Sequence, residues 1–178
     1  MSMAAVRRCG EALGRVAYRM AGTRRGVALD NLARAMPELT ASGRDRIVCG
    51  MYEHFGRMLL EVLRFRTLTP AEMLTLCEVE GEEHVRRAYE AGKGLILVGG
   101  HSGYWEMQGI VHALGWRPIS VMARPLDNPR LHDILEEIRR RTGNAVIYRQ
   151  GSIRKVLRAL GSNSAVAILI DQHLHTSE

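Results

Sequence analysis

From residue 82 onward the chain alternates short apolar runs with helix-length segments, and each of those segments stops at a glycine. The pattern predicts a helix over Glu82 to Ala91 closed by Gly92, a strand over Leu95 to Val98, and a helix over Tyr104 to Leu114 closed by Gly115. A strand over Ile119 to Ala123, a helix over Asn128 to Arg141 closed by Gly143 and a strand over Ala145 to Tyr148 come next. A helix over Ser152 to Leu160 closed by Gly161 and a strand over Val166 to Ile170 complete the series. Glycine just past a helix end accepts the left-handed turn that closes it. Strands separated by helices need crossover connections, which run neighbouring strands in parallel. The expected fold class is therefore α/β: a mostly parallel sheet with helices on both faces, preceded by N-terminal helices.

Residues 1–66 follow a different period. Val6, Cys9, Leu13, Val16 and Met20 recur at spacings of 3 and 4, with Arg8, Arg15 and Arg19 on a flank. That is a basic amphipathic helix, suited either to lie on an anionic membrane or to pack on the domain. A second helix is expected over Gly43 to Arg66, with Ser42 and Asp45 as its capping box. Its apolar stripe is Ile47, Met51, Phe55, Met58, Val62 and Phe65, for which core packing is the plain use and a wall of an acyl-chain groove the alternative. Between Leu68 and Glu80, Thr69 and Pro70 punctuate the chain and leave room for a short helix. The expected organisation is a helical segment at 1–66 packed with an α/β portion at 67–178 as one domain. With 178 residues, 46% hydrophobic and 25% charged, the chain is long and apolar enough for one substantial core.

Cysteine usage and charge narrow the function classes. Cys9, Cys49 and Cys77 form an odd set without CxxC spacing, which indicates neither a disulfide framework nor a zinc site. A formal charge of +6 suits anionic membrane surfaces, phosphorylated glycolipids or an acidic carrier protein. No nucleic-acid motif is present, and the scattered aromatics offer no stacking platform. No run reaches the eighteen or so apolar residues that a bilayer span needs.

The chemistry-bearing stretch is Leu95 to Glu106, LILVGGHSGYWE, which puts His101 just beyond an apolar strand with Glu106 five residues later. Within one helix that spacing would turn the two side chains about 140° apart. They can meet only if His101 lies in the turn and Glu106 in the first helical turn, with Gly99, Gly100 and Gly103 supplying the geometry. A carboxylate there would accept the Nδ1 proton and leave Nε2 as a general base. Ser102 lacks the G-x-S-x-G elbow of a serine hydrolase. On residue types alone, a loop histidine beside a first-turn carboxylate favoured by the helix dipole stands as an equal reading.

GGHSGYWE resembles the H-x-x-x-x-[DE] block of glycerolipid acyltransferases, in the H-x-G-x-W-E form of the bacterial lipid A late acyltransferases. ALDNLARAMPEL resembles that family's N-L-x-x-x-x-P-E-L segment, and FGRMLLEVLRF its following helix with a glutamate, here Glu61. ARPLDNP, IRRRTGN and ILIDQ fall in the family's order, so the resemblance runs from about Arg19 to Gln172. It implies acyl transfer from an acyl carrier protein thioester to a hydroxyl of a lipid A precursor, with His101 and Glu106 as a general-base dyad. It implies no metal or redox cofactor, and a peripheral place on the cytoplasmic face of the inner membrane. The family's chains continue well past the Asp-Gln motif, so this one reads as an N-terminal portion or a truncated relative.

Arg124, Asp171 and Gln172 follow strand ends and are expected to face the same edge as His101. Arg139 lies near a helix end, and the resemblance raises it to a phosphate- or glycan-contacting residue together with Arg124. As plain structure, Arg124 would be a solvated loop charge, Arg139 a helix-end charge, and Asp171 a cap or turn residue. Another glycolipid or lysophospholipid acceptor, or a catalytically silent membrane-surface module, are the alternative functions.

Overall fold

A computed structural model describes residues 2–149 and 151–172, which divide into two compact units, Met1–Arg66 and Thr67–Glu178. Each has its own logic.

The first unit is three helices, α1 (Met3–Met20), α2 (Gly22–Ala35) and α3 (Ala41–Phe65). Helix α1 turns Val6, Gly10, Gly14 and Tyr18 inward, a four-residue spacing that follows one side of a helix. That side meets α3 backbone to backbone. A Cβ on Gly14 would fall 2.2 Å from the Tyr52 carbonyl oxygen, and one on Gly56 would fall 2.1 Å from the Gly10 carbonyl oxygen. Only glycine permits so close an approach. Three ion pairs line one flank of the contact: Arg7–Glu61 at 2.6 Å, Arg15–Glu53 at 2.9 Å and Glu11–Arg57 at 3.2 Å.

Helix α3 starts earlier than its sequence suggests. Thr40, whose Oγ1 accepts the Gly43 N–H at 3.1 Å, is the N-cap in place of the expected Ser42 and Asp45. Asp45 instead accepts from the Tyr18 hydroxyl and from Arg25. The stripe expected to be core is divided, since Phe65 is fully buried while Ile47, Met51 and Phe55 are exposed. Helix α2 was not anticipated. It has no buried residue, so its sequence GTRRGVALDNLARA carries no clear apolar stripe, and Gly22 and Gly26 weaken the local helix signal.

The second unit contains α4 (Pro70–Leu74), α5 (Glu82–Glu90), β1 (Leu95–Gly99), α6 (Trp105–Gly115) and β2 (Ile119–Met122). It continues with α7 (Pro129–Arg141), β3 (Ala145–Ile147), α8 (Ser152–Gly161) and β4 (Ala165–Leu169). The four strands form one parallel sheet in the order β1-β4-β2-β3, the α/β class expected from the alternation. Leu95, Leu97, Ile119, Val121, Ala165 and Ala167 share one face and pack with Tyr89 of α5. Helix α6 lies close on β2, where Gly109 faces the side chains of Ile119 and Val121. On the other face Ile96 and Val98 of β1 are exposed, while α8 packs on β3 and β4.

Strand order has one consequence for the chemistry. Although β1 and β4 are far apart in sequence they are neighbours in register, Gly99 opposite Leu169, so the residues that follow each strand emerge side by side. The ladder reaches one step further through the Ile170 N–H, which donates to the Gly99 carbonyl at 3.1 Å.

Candidate functional site

His101 stands two residues beyond β1, at the carboxyl edge of the sheet, as its sequence position predicts. Its partner is Asp171, two residues beyond β4. The His101 backbone N–H donates to Asp171 Oδ2 at 2.7 Å, and Nδ1 lies 2.8 Å from Oδ1. An ionised carboxylate only accepts, so Nδ1 carries the proton and Nε2 is left with its lone pair. The His101 hydrogen bonds, side chain first and then backbone, hold the Asp171 carboxyl below the usual 3.8. Gly100 sits close under this clasp, where a Cβ would come within 3.2 Å of Asp171 Oδ2 and press on the carboxylate. Of the glycines around His101, Gly103 is the one in the left-handed region, with φ +62°, just before α6 begins. The first residue of that helix, Trp105, packs edge-on against the imidazole with ring centroids 5.1 Å apart.

Glu106 does not pair with His101, which corrects the dyad expected from the sequence. Its carboxylate is held on both oxygens by Arg139 of α7, Nη2 to Oε1 at 2.6 Å and Nε to Oε2 at 3.2 Å. Arg139 also donates to Glu136 at 3.3 Å. The bridge is buried, with the Arg139 side chain only 8% exposed. Burial alone would pull the Arg139 pKa down, but the charges and hydrogen bonds of Glu106 and Glu136 outweigh it and raise it. The physical reason for the re-pairing is proximity: the first turn of α6 faces α7, and a guanidinium fork matches a carboxylate better than an imidazole does.

Of the remaining sequence candidates, Arg124 and Gln172 follow strand ends on the same edge, while Arg139 lies near the C-terminal end of α7. Arg124 follows β2 and is 79% exposed, with its guanidinium 3.2 Å from Asp127 Oδ1. Gln172 follows Asp171 and is exposed. Arg139 is placed by Glu106 and Glu136 as an internal strut, with no open guanidinium towards solvent. A cleft of about 500 Å³ runs beside α7, lined by Asp133, Glu136, Glu137, Arg140 and Arg141, and includes neither His101 nor Asp171.

One polar pair went unmarked by the sequence reading. Buried His112 of α6 shares a hydrogen bond between its Nε2 and the Tyr89 hydroxyl, 2.7 Å away, and stacks obliquely on Trp116. Burial pushes the His112 pKa down and the Tyr89 pKa up, so the pair is a neutral hydrogen bond. The signal available was His112 on the apolar side of its helix, beside buried Ile110 and Val111.

A model of the family described as bacterial lipid A biosynthesis acyltransferase matches residues 1–178. A lipid A biosynthesis palmitoleoyltransferase of Escherichia coli (strain K12) is 26% identical over 163 residues, 92% of this chain and 53% of that protein. A lipid A biosynthesis lauroyltransferase of the same strain is 28% identical over 159 residues, 89% of this chain and 51% of that protein. A phosphatidylinositol mannoside acyltransferase of Mycobacterium tuberculosis (strain ATCC 25618 / H37Rv) is 26% identical over 150 residues, 81% of this chain and 48% of that protein. The chain spans about half the length of the curated relatives it matches.

Proposed function

Because this chain belongs to the bacterial lipid A biosynthesis acyltransferase family, we propose that it takes part in moving a fatty acyl chain from an acyl carrier protein thioester to a hydroxyl of a lipid A precursor. The observation that carries the reading is the His101–Asp171 clasp at the carboxyl edge of the sheet, with Nε2 left free to take a proton. His101 Nε2 deprotonates the acceptor hydroxyl as its oxygen attacks the thioester carbonyl. Asp171 fixes the tautomer and steadies the imidazolium. The tetrahedral intermediate collapses by expelling the carrier's thiolate, which recovers the proton from His101. Backbone N–H groups opening α6 stabilise the oxyanion. Glu106, held by Arg139, sets the orientation of α6 and so of Trp105 beside the imidazole. Arg124, exposed on the same edge, is the arginine that meets acceptor phosphate.

A second acceptor class has a specific observation in its favour, the mycobacterial relative named for a mannosylated phosphatidylinositol. Both acceptors are glycolipids that offer a sugar hydroxyl near phosphate. The work is placed at the cytoplasmic face of the inner membrane, through peripheral attachment to an anionic surface. Among the described residues no helix is long and apolar enough to cross a membrane.

The test is transfer of a labelled acyl chain from acyl carrier protein to each acceptor in parallel. Labelled lipid A precursor is the expected product, and transfer to the mannosylated lipid alone would move the chain to the second class. No transfer to either acceptor, with the same assay positive for a lipid A lauroyltransferase, would overturn acyl transfer by this chain.

A further inference from the structure

We infer that one side of the α1–α3 hairpin is a bilayer-docking face and that an anionic lipid surface covers it. Leu13, Val16 and Met20 of α1 and Met51, Phe55 and Leu59 of α3 are all exposed, Met20 to 80%. At 100° per residue, the α1 residues lie about 110° to one side of the line that faces α3. Glu11 and Arg15 lie on the opposite side of that line. On α3, Phe55 and Leu59 fall to one side of the line through Gly56, while Glu53 and Arg57 fall to the other. The Arg15–Glu53 and Glu11–Arg57 ion pairs show that the charged flanks of the two helices coincide. The apolar flanks therefore coincide as well, and the hairpin has one ion-paired side and one continuous apolar side.

Charge identifies what covers the apolar side. Residues 1–66 hold twelve arginines against six carboxylates, and residues 67–178 hold thirteen basic against thirteen acidic groups, so the whole excess of +6 sits in the helical unit. Arg8 and Arg19 are exposed on the outer side of α1, turned away from α3 between its ion-paired and apolar flanks, and form no ion pair among the described residues. Long arginine stems beside an apolar strip let the strip sink to the acyl boundary while the guanidinium heads stay among anionic headgroups. The same geometry shows why α1 alone is half of the device: α3, expected from its sequence to be core, contributes the other half.

The inference gives a residue-level face to the membrane attachment proposed above and needs neither acyl donor nor acceptor, so its test stands apart from catalysis. The full chain is mixed with phosphatidylcholine vesicles with and without phosphatidylglycerol, and the bound fraction is read by cosedimentation. Met51→Gln with Phe55→Gln probes the α3 half, and Glu53→Gln on the ion-paired flank serves as control, with circular dichroism reporting the fold. Binding is expected with phosphatidylglycerol only, weakened by salt, and lowered about tenfold by the double variant, the worth of burying one large apolar side chain. Glu53→Gln leaves it unchanged. Anionic-vesicle binding that ignores the double variant overturns the face while leaving attachment in place. Absence of any binding by the unaltered chain overturns both. A solution dimer that the double variant dissociates, without vesicle binding, makes the face a self-association surface and overturns the lipid assignment.

Discussion

His101 with Asp171, and Arg139 with Glu106 and Glu136, join a base to a carboxylate in the same unit, yet their surroundings are opposite. The first contact is open to water, with Asp171 45% exposed; the second is shut away, with Arg139 8% exposed. A group that must gain and lose a proton needs the first setting, since burial penalises whichever form is charged. A strut that must stay ionised tolerates the second, provided that every charge is matched. The contrast fits the proposed function, with chemistry at the first contact and architecture at the second, although a motif-based reading gives Glu106 to the histidine.

The largest effect that would test this contrast is Arg139→Met. It strands the Glu106 carboxylate and leaves Glu136 to its longer contact with Arg140, and unfolding free energy measured in urea should drop by about 3–5 kcal/mol. Replacing Glu106 and Glu136 with apolar residues in the same chain should restore much of the loss. A variant as stable as the original would place Arg139 among solvated charges after all.

His101→Ala should behave the other way round. Its turnover should fall on the order of 10²–10⁴-fold, with unfolding free energy changed by no more than about 0.5 kcal/mol. Glu106→Gln sharpens the comparison further. Loss of the charged partner should cost about 1–3 kcal/mol of stability and leave turnover per folded molecule near normal. A turnover loss matching that of His101→Ala would return Glu106 to the dyad.

Asp171→Asn retains an oxygen for the histidine N–H but no charge to steady the imidazolium, so turnover should fall about ten- to a hundredfold, the worth of a hydrogen bond to a charged group. The smallest effect is in titration. Since the Asp171 carboxyl is held below 3.8 in the folded chain, its contribution to stability is complete above that pH and is lost as pH falls through the lower, folded value. Carbon NMR of the Asp171 carboxyl should show a midpoint below 3.8, and a midpoint at or above 3.8 would remove the clasp from solution.

What could be read in the sequence was whatever depends on near neighbours along the chain. Strands and helices from residue 82 fall within a residue or so of their expected bounds, because alternation and glycine are local signals; Gly92 and Gly143 take the left-handed turn, whereas Gly115 and Gly161 are the last helical residues of α6 and α8. His101 was found for the same reason: an apolar run and glycines precede it. The partners were not readable. Asp171 meets His101 across seventy residues, through a strand order that puts β4 beside β1, and Glu106 of α6 meets Arg139 of α7 across thirty-three. No period encodes either meeting. The apolar stripe of α3 shows the same limit, since periodicity reveals that Met51 and Phe55 share a side but not whether that side faces protein or solvent.

Gly10, Gly14 and Gly56 bear on how a mutational map of this protein is to be read. In a saturation library scored by growth or total activity, these three positions would tolerate no other residue, because every alternative brings a Cβ into the facing backbone. They would be as blank as His101. Ranking by intolerance alone would thus put a helix spacing and the proposed proton transfer in one class. Scoring abundance alongside activity separates them: variants at the three glycines disappear from the folded pool, whereas on the proposed function variants at His101 persist at full abundance with activity largely lost.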